Sequence, residues 1–224
     1  MDYNWDWGVF FKSTGIGDER YLDWYITGLG WTIAVSLAAW VIALALGSLL
    51  GVMRTLPNRW LSGIATAYVE LFRNVPLLVQ LLLSYYALPF LGLHLSPWVA
   101  AVGTLGLCCA AYAGEILRGG LSTVPRPALE AALLAGLTPR QTFLRIRLPI
   151  ALAAMRPALV GEATMILKAS ALVSVVGISE ITRNSQAIAA STFMPLESYA
   201  LAGLFYLALN LVLLGIGSAR RRVP

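Results

Sequence analysis

Long apolar runs separated by short polar breaks set the frame of this sequence. From Trp31 to Met53 no charged residue occurs, and Arg54, Pro57, Asn58 and Arg59 follow. A bilayer core of roughly 30 Å takes about 20 apolar residues as helix, so this run predicts a first span over about residues 26–53. Leu61 to about Pro89 predicts a second, although it carries Glu70 and Arg73. Inside it, Asn74-Val75-Pro76 predicts a local break whose freed carbonyls must face a cavity or another helix. Leu91 to Pro97 reads as a short connection. Trp98 to about Leu117 predicts a third span with Glu115 near its end, and about Ile150 to Ile178 a fourth holding Glu162 and Lys168. Ser179 to Glu197 is polar enough to leave the membrane; Ser198 to Ala219 predicts a fifth span, closed by Arg220, Arg221 and Arg222. The pattern predicts an all-α membrane protein of five transmembrane helices in one domain, residues 1–224.

Residues 118–149, between the third and fourth spans, break the pattern. Pro127 suits the first turn of a helix, and Ala128 to Ala135 is a strong helix former. Gly136 fits the position just past a helix end. Thr138 is a good N-cap, Pro139 suits the first helical position, and Gln141 completes a capping box. The segment is a helical hairpin whose second helix ends near Arg147, with Pro149 opening the next span. From pattern alone it reads equally as an amphipathic element lying on the membrane surface.

Composition agrees with a membrane class: 58% of the 224 residues are hydrophobic and 12% charged, against about 25% charged in soluble domains. The start of the chain, with Asp2, Asp6, Asp18, Glu19 and Asp23, lacks the basic start of a signal peptide and reads as an interfacial, Trp-rich lead-in. Five spans put the termini on opposite sides. One side holds Arg54, Arg59, Arg118, Arg126, Arg140, Arg145, Arg147 and Arg220–Arg222; the other holds the acidic N-terminus, His94, Glu180, Arg183 and Glu197. The positive-inside rule places the N-terminus outside and the hairpin and C-terminus in the cytoplasm. Cys108 and Cys109 are adjacent, which matches neither a zinc site nor a CxxC motif. His94, the one histidine, falls in a connection, and Trp5, Trp7, Trp24, Trp31, Trp60 and Trp98 fall mostly near span ends, which suits an aromatic belt.

The order Glu130-Ala131-Ala132, Gly136, Ile146, Leu148-Pro149 resembles the EAA signature of ABC importer membrane (permease) subunits. Ala128-Leu129 stands where that family often has Gly-Gln. "ELFRNVPLLVQ" (Glu70–Gln80), "AAYAGEILRGGLSTVPR" (Ala110–Arg126) and "LKASALVSVVGISEI" (Leu167–Ile181, with Ala169 where the family has Asp) resemble the polar amino acid uptake branch. "WDWGVFF" and "TLPNRWLSG" look most like glutamate/aspartate-type subunits. The resemblance implies a type I ABC importer transmembrane domain in a bacterial inner membrane. The hairpin would be a coupling element docked on a separate ATP-binding subunit, and a second permease subunit and an external solute-binding protein would complete the importer.

The ionisable residues inside spans are costly unless paired or hydrated. Glu70 and Arg73, and again Glu115 and Arg118, are spaced to pair along one helix. Glu162 and Lys168, six residues apart, lie on different faces and need partners elsewhere. The functional reading is a polar pathway: Arg73, Lys168, Gln80 and Ser170 as donors to a substrate carboxylate, and Glu70, Glu115 and Glu162 as acidic groups, with Glu70 and Glu162 accepting from its ammonium. Interrupted helices of this kind often line transporter sites. No GxxxxGK[ST] occurs, so ATP has no P-loop here, and no cofactor, metal site, nucleic-acid partner or catalytic constellation is implied. An ion-coupled secondary carrier and a membrane-embedded enzyme are the competing classes; the EAA order and the lack of an inverted repeat weigh against the first, and the missing nucleophile motif against the second.

Overall fold

A computed structural model describes residues 3, 5–15 and 17–218. The basic run Arg220–Arg222, the residue Asp2 and the end of the fifth expected span lie outside the described residues. Among the described residues nine α-helices are present: α1 (Tyr21–Met53), α2 (Arg59–Asn74), α3 (Leu77–Leu82), α4 (Pro97–Ser122), α5 (Arg126–Leu134), α6 (Pro139–Thr142), α7 (Leu148–Ala169), α8 (Ile181–Thr192) and α9 (Pro195–Ser218). Short 3₁₀ or π turns join or extend them, and no strand occurs among the described residues.

Four helical stretches among the described residues are long and apolar enough to cross a membrane: Tyr21–Met53, Pro97–Ser122, Pro139–Val176 and Pro195–Gly217. The second expected span is not one helix. It is the pair Arg59–Asn74 and Leu77–Leu91, bent by 100° at the break, and it makes a fifth crossing if the pair is counted together. The cause is local. Val75 adopts φ −99°, ψ 128° because the residue before a proline is pushed out of the α region, and Asn74 Nδ2 donates to the Glu70 carbonyl at 2.7 Å as the helix stops.

The third helix runs on to Ser122, past the expected end at Leu117, and the first begins at Tyr21. The hairpin's second helix does not stop at Arg147: α6, a π-wound turn at Phe143–Arg147 and α7 form one helical stretch that continues to Val176. Pro149 has no N–H to give to the carbonyl four residues back. The ladder widens just before it, Leu148 N–H reaching the Phe143 carbonyl, and the chain passes through instead of breaking.

The chain forms two compact units. One comprises Met1–Ala39, Leu77–Leu105 and Thr164–Pro224, the other Trp40–Pro76 and Gly106–Ala163. In the second unit, Gly47 and Gly51 of α1 meet α4 at backbone distance: a Cβ on Gly47 would fall 2.6 Å from Ala113 Cβ, and one on Gly51 2.9 Å from Leu117 Cβ. α2 is pressed on through Ala65, with Leu50, Ala110, Met53 and Tyr68 around it, and Tyr68 donates to the Leu107 carbonyl at 2.8 Å. A further cluster of Leu121, Val124, Ala151 and Met155, with Leu129 and Phe143 against it, ties the hairpin to α4 and α7.

In the first unit, Val9, Phe10, Tyr25, Ile181, Ile188 and Ala202 make the core, with Trp24, Phe205 and Tyr206 packed on it. The polar stretch 179–197, expected to leave the membrane, folds chiefly as α8, which packs on α1 and α9. Gly28 makes room for it: a Cβ there would lie 2.8 Å from Asn184 Nδ2. Glu180 is completely buried and caps α8, accepting from the N–H groups of Thr182 and Arg183, both at 2.8 Å, and from Tyr206 Oη at 2.6 Å.

Candidate functional site

The hairpin 118–149 is built by its punctuation. α5 ends in a two-bond cap: Gly136 N–H reaches the Leu133 carbonyl at 2.9 Å and Leu137 N–H the Ala132 carbonyl at 3.1 Å. That cap needs a left-handed residue, and Gly136 has φ +72°. Two residues on, Thr138 Oγ1 accepts from Gln141 N–H at 3.3 Å while Gln141 Oε1 accepts from Thr138 N–H at 2.9 Å. This is the reciprocal box the spacing predicts.

The elbow buries Ala132 and leaves Glu130, Ala131 and Gly136 exposed; Ile146 and Leu148 are half-buried and Pro149 exposed. Leu133 and Leu134, 73% and 89% exposed, project from α5. Beside them Leu129, Leu133, Leu137, Pro139, Thr142, Phe143 and Arg147 line an open, mainly apolar groove of about 370 Å³. Fixed caps hold an apolar surface outward here, the arrangement expected where a second surface will cover it.

The charged pathway residues of the second unit gather around one carboxylate. Glu115 on α4 is approached by Arg118 Nη2 at 3.2 Å, by Arg73 Nη1 at 3.9 Å and by Arg54 Nη1. The expected pair of Glu115 with Arg118 is present. The expected pair of Glu70 with Arg73 is not: Glu70 instead accepts from Asn74 Nδ2 at 3.1 Å, and Arg73 turns to Glu115 and to the face of Tyr112, 5.3 Å from its centroid. An interhelical carboxylate with two cations already beside it, together with an aromatic face, outbids an exposed neighbour one turn away.

Glu162 on α7 is 7% exposed and hydrogen-bonds Cys109 of α4, with Tyr112 within electrostatic reach of both Glu162 and Arg73. In the first unit Lys168 is exposed and Gln80 half-buried. Ser170 is completely buried, and its hydroxyl donates to the Leu167 carbonyl at 2.7 Å. His94 is exposed in the connection before α4.

Sequence reasoning passed over three residues that the structure makes prominent. Arg54 was counted only as an inward charge, yet it is a member of the Glu115 cluster. Tyr112 carries no sequence signal beyond its place one turn before Glu115. Glu180 counts in the sequence only as an outer charge, and glutamate is not among the residues that mark an N-cap.

These features define a multi-span helical membrane protein with an exposed, mainly apolar elbow. Over residues 43–219 the chain matches the family described as binding-protein-dependent transport system inner membrane component. The glutamate/aspartate import permease GltJ of Escherichia coli K12 is 35% identical over 223 residues, covering 94% of this chain and 91% of that one. The arginine transport permease ArtQ of Bacillus subtilis is 34% identical, covering 90% and 92%, and the glutamine permease GlnP of Escherichia coli K12 is also 34% identical, covering 84% and 87%. A crystal structure of an amino acid ABC transporter with histidines superposes with TM-score 0.85 at 31% identity, over 91% of this chain and 95% of that one. The inward-facing MetNI methionine ABC transporter shares the fold at TM-score 0.71 and 20% identity.

The chain therefore belongs to the binding-protein-dependent transport system inner membrane component family, within its branch of polar amino acid ABC importer permeases, and has the type I importer transmembrane fold.

Proposed function

We propose that this subunit forms part of the pathway of an ATP-driven importer for a polar amino acid of the glutamate/aspartate type, and that a separate ATP-binding subunit drives it through Glu130, Ala131, Ala132, Gly136, Ile146, Leu148 and Pro149. The observation that carries the reading is the doubly capped elbow joined without a break to the helix bearing Glu162 and Lys168. Movement imposed at α5 and α6 is transmitted along that helix to the charged groups.

The cycle is alternating access. Closure of the ATP-bound partner pulls the elbows of two permease subunits and opens the cavity outward. The external binding protein delivers the amino acid, and hydrolysis returns the cavity inward. The asymmetry of arginines supports the elbow and C-terminus as cytoplasmic and the N-terminus as external.

Arg73, whose side chain is 41% exposed, and Lys168 offer cations to substrate carboxylates, and Glu162 an acceptor for the ammonium; Glu70, Gln80 and Glu115 complete the polar set, Glu115 by holding Arg73. The similarity to GltJ supports an acidic substrate, and the similar identities of ArtQ and GlnP support the wider polar class. The test is ATP-dependent uptake in proteoliposomes holding the whole complex, with glutamate, aspartate, glutamine and arginine as competitors. Competition by glutamate and aspartate alone, lost in Arg73→Gln, supports the reading; competition by arginine alone overturns the acidic substrate.

A further inference from the structure

Glu197, in the first turn of α9, is completely buried, and both its carboxylate oxygens are taken by the start of the chain. Tyr3 Oη donates to one, and Asp6 N–H donates to the other at 3.0 Å. Asp6 in turn caps the 3₁₀ turn Trp7–Phe11, accepting from Gly8 N–H at 2.9 Å. It also pairs with Lys12 at 2.6 Å, and that hydrogen bond holds its carboxyl below the usual carboxylate range.

Val9 and Phe10 are buried. Phe10 meets Tyr25 edge-on at 5.7 Å, and Tyr25 stacks on Phe205 at 5.6 Å. Tyr3 and residues 5–12 are therefore a strap with one face fixed to α1 and α9.

Its other face is aromatic and open. Trp5, Trp7 and Phe11 are 54%, 47% and 63% exposed. Trp5 and Trp7 stack with parallel rings 5.8 Å apart, and Tyr3 lies edge-on to Trp5 at 5.1 Å. The strap attaches near the starts of two stretches long and apolar enough to cross a membrane, Tyr21–Met53 and Pro195–Gly217. The family match starts at residue 43, so the strap lies outside it.

We propose that this aromatic face is a membrane-interface anchor seated in the lipid headgroup boundary, clamping the starts of α1 and α9 to the plane of the bilayer. Indole and phenol rings suit that layer because an apolar body is joined to one polar tip. The neighbouring charges are mixed in sign, Lys12 and Arg20 against Asp18, Glu19 and Asp23. Ring insertion rather than anionic-lipid attraction therefore holds the strap, and zwitterionic vesicles are sufficient.

The test uses the assembled complex in phosphatidylcholine vesicles containing lipids brominated near the headgroup end or near the methyl end of the chain. The chain has seven tryptophans, so the emission of Trp5 and Trp7 is taken as the difference between wild type and the Trp5→Phe/Trp7→Phe variant. The expected difference spectrum is blue-shifted, quenched most by bromine near the headgroup and little by aqueous acrylamide. Glu197→Ala is expected to release the strap and shift that emission to the red. If Glu197→Ala does not fold, the quenching in the wild type still decides. Acrylamide quenching without bromine quenching overturns the proposal, as does shielding that arises only when the external binding protein is added, which makes that protein the occupant.

Discussion

Arg73 on α2 reaches across to Glu115 on α4, its Nη1 3.9 Å from a carboxylate oxygen, and lays its guanidinium over Tyr112 at 5.3 Å. Arg54 and Arg118 share the same carboxylate, so three cations, from the turn after α1, from α2 and from α4 itself, depend on one acid. The side chains of Arg54 and Glu115 are only 13% and 23% exposed. Removing one partner of a largely desolvated pair strands the other. Glu115→Gln is expected to cost about 2 kcal/mol of stability, and Arg118→Gln, on the exposed rim, less than about 1 kcal/mol. Thermal unfolding of both variants in detergent checks the order; equal losses would contradict a hub at Glu115.

The elbow variants separate docking from folding. Glu130→Lys lies on the exposed face of α5 and is expected to leave insertion and melting temperature unchanged while uncoupling uptake from ATP. Gly136→Asp imposes a side chain at φ +72°, costing roughly 1–2 kcal/mol locally, and is expected to uncouple as well. Retained ATP-driven uptake in both variants sinks the docking reading.

Thr138→Ala removes the acceptor for Gln141 N–H and is expected to cost about 1 kcal/mol. Thr138→Ser is expected to restore it. The readout is protease resistance of the elbow beside its ATPase coupling; no difference between the Ala and Ser variants contradicts a capping role.

These elbow elements were legible because their physics is local. Thr138, Pro139 and Gln141 form a box by spacing alone, and Gly136 sits where a helix must turn left. The apolar runs likewise placed the spans, and the triplet at Asn74-Val75-Pro76 placed the break, though not its angle. What the sequence did not disclose depends on neighbours far along the chain. Arg73 had two acids within reach, and choosing Glu115 requires knowing that α4 passes beside α2. The stretch around α8 reads as polar enough to leave the membrane because its Glu, Asn, Ser and Thr residues look solvated; Glu180 and Asn184 are buried because Tyr206 of α9 donates to the first and the Trp24 carbonyl of α1 accepts from the second, while Thr32 accepts from the Ile181 N–H. The continuous helix from Pro139 was hidden by Pro149, since a π turn that absorbs a proline has no sequence mark.

Glu180→Ala takes three hydrogen bonds from a completely buried carboxylate. It is expected to destabilise by about 2–3 kcal/mol, combining a lost cap with buried donors left unmet. Melting temperatures check this; a variant within error of wild type would show that α8 is held by its apolar contacts alone.

Gly47→Ala places a methyl 2.6 Å from Ala113 Cβ and is expected to destabilise the α1–α4 packing. Ala113→Gly is expected to restore it in the double variant. A single variant as stable as wild type, or a pair no better than the single, would place the close approach elsewhere.

The most direct test of the coupling account is co-purification from detergent with the ATP-binding subunit, followed by ATPase activity after reconstitution with the external binding protein. The account predicts that the ATP-binding subunit comes down with this chain, that the binding protein stimulates ATPase, and that loss of Glu130 releases the subunit. A chain that elutes alone and moves amino acid on an ion gradient without ATP would contradict it, and the buried carboxylates would then be the engine of a secondary carrier.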